Sequence, residues 1–145
     1  LHIILRFELE LRLIDGSLSV HDLPLAWNTC MKELLGIVPR HDAEGVLQDM
    51  HWAQGAIGYF PTYALGTIYA AQLHYQLLKE KKNVDRNIQK GDFSSISLWL
   101  QKNVHVLGSR LFADDIIKRV CGEGLNPQVY IDYLNTKFSD IYDIH

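Results

Sequence analysis

The stretch Gly45-VLQDMHWAQGAIGYFPTYAL-Gly66 differs in character from the rest of the chain. It alternates hydrogen-bonding side chains with large aromatic ones, and its four glycines let the backbone turn tightly or approach a ligand closely. Its polar and aromatic residues include Gln48, Asp49, His51, Trp52, Gln54, Tyr59 and Tyr63. Two interpretations are open: a buried aromatic loop whose polar groups satisfy backbone ends, or one wall of a functional site.

Amphipathic helices with recognisable ends lie on both sides of this stretch. Upstream, the apolar spacing predicts helices over residues 1–15 and 23–35, the second with Asp22 as its N-cap. Downstream, Pro61 suits the first turn of a helix that continues to about residue 82. Further helices are predicted over residues 86–90, 94–106, 113–121 and 127–141. No alternating strand pattern of useful length occurs, so the chain is predicted to be all-α.

The first helix carries apolar residues at so many positions that we expect it to be buried on most sides. Its charged residues include Arg6 and Glu10, which are four apart and can form an ion pair on one helix face. The spacing favours this surface pair. In the alternative, Arg6 faces a cleft and meets a carboxylate there.

Length and composition fit one domain with a core of its own, since the 145 residues are 48% apolar and 21% charged. We therefore predict a single helical unit over residues 1–145. A net charge of −3 gives no electrostatic reason to expect nucleic acid or an anionic membrane surface as a partner. No apolar run approaches the ~20 residues that span a bilayer.

Cys30 and Cys121 match no metal spacing, and we expect reduced thiols in a cytoplasmic protein. A first residue that is Leu, already inside a helical pattern, indicates a fragment or a processed product.

Known metal-binding and catalytic patterns are missing from the sequence. The seven histidines include no pair three, four or five residues apart, and HExxH, GxSxG, a P-loop and GxGxxG are all absent. His51 differs from the other histidines because of its neighbours. A neutral imidazole can accept or donate a hydrogen bond and a protonated one can stabilise an oxyanion, so His51 could converge with Tyr63 or Tyr59 on one oxygen.

Two motifs in this stretch, GVLQDMHW and GAIGYFPTYALG, resemble the Taq-type thermostable carboxypeptidases. These are zinc metallopeptidases that remove single residues from peptide C-termini, and GxxQDxHW is a signature of the family. Residues 1–28, MKELLG and the last two helices are also similar to the family. The resemblance implies the C-terminal half of a helical, cleft-containing catalytic domain. The family's HExxH, its third zinc ligand and an arginine motif lie upstream of the counterpart of Leu1. This chain is therefore predicted to hold no catalytic zinc and to be inactive alone.

The resemblance also implies residue roles. In a family member, zinc and a Glu base activate a water that attacks the scissile carbonyl, and the resulting oxyanion needs hydrogen-bond donors. His51 and Tyr63 match that role as catalytic residues, with Tyr59 as the competing tyrosine. Gln48, Asp49 and Tyr59 are predicted to bind substrate, and Asp49 could also fix the tautomer of His51.

The implied partners are a peptide substrate and a second copy of the chain, because family members are typically homodimers. The alternative function is a non-catalytic helical module for interaction or dimerisation.

Overall fold

The computed structural model describes residues 1–144, so His145 lies outside the described part of the chain. The described residues form α-helices joined by loops and short 3-10 turns, with no strand among them, which confirms the all-α prediction. The helices are α1 (His2–Ile14), α2 (Leu23–Leu35), α3 (Pro61–Glu80), α4 (Val84–Gln89), α5 (Ser94–Asn103), α6 (Ala113–Cys121) and α7 (Pro127–Tyr142). No helix in this range is long and apolar enough to cross a membrane.

Helix ends follow the local chemistry of the sequence. Gly36 ends α2 in the left-handed conformation (φ 70°), which glycine adopts without steric cost. Asn126 caps α7, because its side-chain oxygen accepts from the backbone N–H of Gln128 at 3.0 Å. The helix predicted over 94–106 ends at Asn103 instead. Its last turn tightens into a 3-10 turn, His105–Leu107, a common way for an α-helix to end.

Contacts divide the chain into two compact units, the first from Leu1 to Leu65 and the second from Gly66 onward, so the boundary falls within α3. The core of the first unit forms where α1 packs against α2. Its buried residues are Leu5, Leu9, Leu18, Leu23, Trp27, Met31 and Val46.

The second unit has its own core, in which Leu77, Val84 and Trp99 are buried. Two polar side chains at this core are hydrogen-bonded, as burial generally requires. Trp99 Nε1 donates to a carboxylate oxygen of Glu80 at 2.7 Å. The buried amide of Gln72 donates to the carbonyl oxygen of Gly124 at 2.9 Å.

The prediction that α1 is buried on most sides is wrong. Leu5 and Leu9 are fully buried, whereas the opposite side of the helix carries Ile4, Phe7, Leu11 and Ile14, which are 38% to 67% exposed. We call these four residues the outer stripe of α1. The reason is that α2 packs against the face of α1 that carries Leu5 and Leu9 and leaves the opposite face uncovered.

Candidate functional site

The segment between α2 and α3 contains the polar and aromatic cluster that the sequence singles out. We call residues 45–60 the site segment. Its regular structure is limited to short turns, including the 3-10 turns Val46–Gln48 and Trp52–Gln54. Gly55 and Gly58 have positive φ angles of 71° and 76°, a region that side-chain-bearing residues rarely adopt. Local backbone hydrogen bonds shape these turns, whereas side-chain contacts join the segment to α1.

A continuous chain of polar contacts connects α1 to the start of α3 through the site segment. Arg6 Nε donates to Asp49 Oδ2. The other oxygen of that carboxylate, Oδ1, lies 2.8 Å from Nδ1 of His51 and accepts from the His51 backbone N–H, also at 2.8 Å. Nε2 of His51 lies 2.8 Å from the hydroxyl oxygen of Tyr63. A carboxylate can only accept, so Nδ1 carries a proton and the other ring nitrogen faces Tyr63.

Burial and charge define the electrostatics of this chain of contacts. The Asp49 side chain is 1% exposed and that of Arg6 is 20% exposed. Burial raises the pKa of the Asp49 carboxyl, but hydrogen bonds from His51 and Arg6 together with the Arg6 charge outweigh it, so the pKa lies below its ordinary value. Asp49 is therefore ionised at neutral pH. The Arg6 guanidinium also lies 5.2 Å from the centre of the Trp27 ring.

The predicted surface pair between Arg6 and Glu10 is wrong, and the alternative, Arg6 against a carboxylate, is what the structure contains. Both side chains point from α1 toward the site segment rather than toward each other. Glu10 is 4% exposed. One of its oxygens accepts from the indole Nε1 of Trp52 at 3.0 Å and the other from the backbone N–H of Gly58 at 2.8 Å.

Sequence reasoning did not find these contacts of Glu10. The available signal was Trp52, since a buried indole N–H usually needs an acceptor. The sequence does not say which carboxylate supplies that acceptor.

The two tyrosines take different positions around His51. Only the Tyr63 hydroxyl contacts Nε2, whereas the Tyr59 ring stacks on the imidazole with centroids 5.5 Å apart and an interplanar angle of 28°. Phe60 packs against the same ring at 5.1 Å. Gln48 is turned toward its own loop, where its Nε2 donates to the carbonyl oxygen of Ala43. The structure therefore brings Asp49, His51 and Tyr63 into one hydrogen-bonded group and leaves the polar ends of Tyr59 and Gln48 outside it.

A cavity of about 310 Å³ opens beside this group. It is lined by Ile3, Arg6, Gln48, Asp49, Met50, His51, Phe60 and Tyr63. A larger cavity of about 800 Å³ in the second unit is lined mostly by residues of α3 and α7 and by none of the predicted site residues. We therefore regard the smaller cavity as the candidate site, because the polar groups converge there.

Among residues 1–144, no group of three or more His, Cys, Asp or Glu side chains is arranged to hold a metal ion. Three protein ligands are the usual minimum at a catalytic zinc.

Known proteins identify the family. The sequence model of the carboxypeptidase Taq (M32) metallopeptidases matches residues 1–138. The chain belongs to this family. It is similar to carboxypeptidase 1 of Bacillus subtilis strain 168, with 48% identity over 142 residues, 98% of this chain and 28% of that protein. Thermostable carboxypeptidase 1 of Pyrococcus furiosus is 39% identical over 137 residues, 94% of this chain and 28% of that protein. The crystal structure of an M32 carboxypeptidase from Deinococcus radiodurans R1 superposes with a TM-score of 0.91 at 34% identity, covering 99% of this chain and 29% of that one.

The M32 chain thus spans about 28% of the length of the curated relatives that it matches. These comparisons confirm the predicted family and the predicted partial match. The family consists of carboxypeptidases that act on peptides, and its description as metallopeptidases implies a metal cofactor. The roles of individual residues, the identity of the metal and the oligomeric state remain predictions.

Proposed function

We propose that this chain is the C-terminal part of the catalytic domain of a zinc-dependent carboxypeptidase that hydrolyses the C-terminal peptide bond of peptides. In this proposal residues 1–145 belong to one catalytic domain of a cytoplasmic enzyme. The metal ligands come from a part of the protein outside this chain, so the chain alone is inactive. The observation that carries the proposal is the contact of His51 with Tyr63, supported by Asp49, beside a cavity.

The geometry supports one role in particular, the stabilisation of negative charge on a substrate oxygen. Asp49 accepts from Nδ1 of His51 and orients the ring so that Nε2 faces the Tyr63 hydroxyl. An imidazole that carries protons on both nitrogens donates from Nε2 to the Tyr63 oxygen, so that the Tyr63 hydroxyl hydrogen turns toward the cavity. The hydroxyl then donates to the oxyanion, with the imidazolium charge directly behind it.

The remaining predicted residues take supporting roles. Arg6 holds Asp49 from the side opposite His51 and keeps it ionised. Tyr59 is 46% exposed and offers an aromatic surface to a substrate side chain. The amide nitrogen of Gln48 is bonded within its own loop, so its carbonyl oxygen is the end that would accept from a substrate N–H.

The test uses the protein at its full native length. His51→Ala and Tyr63→Phe should each lower kcat/KM by roughly 10- to 1,000-fold, the scale for loss of one oxyanion donor. Tyr59→Phe is the matched control, because it removes a tyrosine hydroxyl from the same ring cluster without touching Nε2, and its kcat/KM should change less than about threefold.

Elemental analysis of each variant must accompany the kinetics. Equal zinc content in the wild type and all three variants is expected, which excludes metal loss as the cause. Full activity of Tyr63→Phe with zinc bound would show that the assigned role is wrong. Stoichiometric zinc in the purified 145-residue chain would overturn the proposal that the ligands lie elsewhere.

The outer stripe of α1 favours a second candidate function, a helical association module. Its four apolar residues recur at spacings of three and four, the pattern by which one helix packs along another. We propose that two copies of the chain pair through this stripe. Leu11→Glu should convert the dimer to a monomer in light scattering, whereas Leu25→Glu on α2, where the residue is 73% exposed, should not. A wild-type monomer would rule this candidate out.

A further inference from the structure

We infer that Glu10 is a positioning residue of the site. This inference rests on the proposed function and adds to it a residue that touches neither substrate nor metal. Glu10 lies one helical turn after Arg6 on α1, and both side chains hold the site segment. Arg6 holds it at Asp49, and Glu10 holds it at two points on the other side of His51.

The contacts of Glu10 bracket the part of the segment that surrounds the imidazole. Trp52, which donates to one carboxylate oxygen, is the residue next to His51. Gly58, which donates to the other, directly precedes Tyr59 and Phe60, whose rings lie 5.5 Å and 5.1 Å from the imidazole centroid. One carboxylate therefore holds the side chain of the residue after His51 and the backbone before the rings that pack on the imidazole.

The turn between these two points has local backbone bonds, such as the Ala56 N–H to the His51 carbonyl oxygen at 2.9 Å, but these bonds do not join it to α1. It contains Gly55 and Gly58, both at positive φ, and glycine has more conformational freedom than any other residue. The Trp52 indole is wedged edge-on between the rings of Trp27 and Phe60, at 6.3 Å and 5.9 Å. Its N–H donor is thus directed at Glu10 by packing.

Glu10 is buried in this arrangement and its two partners are neutral N–H groups. A carboxylate is suited to this task because it has only acceptors and can serve two donors at once. Glutamine has the same size but one acceptor oxygen, and its NH₂ group would face one of the two donors. Glu10→Gln therefore breaks one contact without opening a cavity.

The experiment compares Glu10→Gln with Glu8→Gln, which removes the same charge from an exposed position of the same helix. In ¹⁵N-labelled full-length protein at alkaline pH, the two ring nitrogens of His51 should give well-separated signals, because Asp49 holds a proton on Nδ1. In Glu10→Gln these two signals should move toward each other, and the Trp52 indole proton should shift upfield. Glu8→Gln should resemble the wild type.

Activity gives a second readout. Glu10→Gln should lower kcat about 10- to 100-fold, the scale for a misplaced catalytic group, with KM changed less than about twofold. A lack of carboxypeptidase activity in the wild type would refute the proposed function but would leave the His51 signals as an independent test of positioning.

Two results would overturn the inference. An unchanged Trp52 indole signal in Glu10→Gln would mean that the contact does not exist in solution. A shifted indole signal with unchanged His51 nitrogens would reduce Glu10 to a purely structural role. If Glu10→Gln fails to fold, Trp52→Phe takes its place, since it removes one donor to Glu10 and leaves the contact with Gly58. The two His51 nitrogen signals should then move toward each other, and unchanged signals would overturn the inference.

Discussion

Replacement of Asp49 by Asn tests whether the contact with Arg6 holds the site segment to α1. Asn keeps the size of the side chain but removes its charge and one of its two acceptor oxygens. Asp49 accepts from Arg6, from the His51 backbone and from the His51 ring, so its amide variant must turn an NH₂ group toward at least one donor. The Arg6 guanidinium then loses its counter-charge.

The size of the effect follows from the burial of the two side chains. Breaking a buried ion pair by removing one partner costs roughly 3–5 kcal/mol, because a charge remains buried without compensation. Asp49 is 1% exposed, but Arg6 is 20% exposed and also bonds to the carbonyl oxygen of His2 at 3.1 Å. We therefore expect the lower end of that range, a loss of about 3 kcal/mol in unfolding free energy.

Denaturant unfolding followed by ¹⁹F NMR of 5-fluorotryptophan suits a chain with two units. Trp27 and Trp52 report on the first unit and Trp99 on the second. Asp49→Asn should lower the midpoint seen by the first two residues and leave the third unchanged. Asp42→Asn, at an exposed position of the same loop, should stay within about 0.5 kcal/mol of the wild type.

A double variant sharpens this test. Arg6→Met combined with Asp49→Asn should be less destabilised than the sum of the two single variants, since neither charge is left alone. A loss below about 1 kcal/mol for Asp49→Asn, or strict additivity in the double variant, would refute the reasoning.

Three further outcomes are expected. The pKa of Asp49 is lower in the folded chain than its unfolded value of about 3.9. The ionised carboxylate therefore stabilises the fold above that pH, and this contribution is lost as the pH falls through the folded pKa. The difference in unfolding free energy between wild type and Asp49→Asn should accordingly shrink on acidification below about pH 4. Leu9→Ala, at a fully buried position, should cost about 2–5 kcal/mol in the first unit, measured by the same fluorine signals. Asn126→Ala should cost about 1 kcal/mol in the second unit, measured at Trp99, because it removes the N-cap bond to Gln128.

The sequence was a good guide where local chemistry decides the structure. Gly36, Pro61 and Asn126 mark helix ends in this chain because their conformational preferences and hydrogen bonds act within one turn. The helix predicted over 113–121 matches α6, Ala113–Cys121, for the same reason. The polar and aromatic cluster could also be recognised from the sequence, because its polar residues are not explained by helix capping.

The sequence was a poor guide where two distant segments meet. Arg6 and Glu10 have the spacing of a helix-surface pair, and that spacing holds whether they face each other or a third element. The structure shows that each meets the site segment. Nothing local distinguishes these cases, because the deciding partners lie more than forty residues away. The choice between Tyr59 and Tyr63 is of the same kind, since both precede or begin α3 and only the fold orients their hydroxyls.

The long separation of these contacts has a kinetic consequence. The three bonds that tie the site segment to α1 close loops of 42 to 48 residues, and contacts of such range form late because the entropy of closure must be overcome first. The helices of the first unit should therefore form before His51 reaches its place. The Gly58 amide donates its hydrogen bond to Glu10. Its native-state hydrogen exchange therefore reports the detachment of the site segment from α1, because the amide must leave Glu10 before it can exchange. The exchange rate of that single amide thus measures how often the site comes apart while the rest of the unit stays folded.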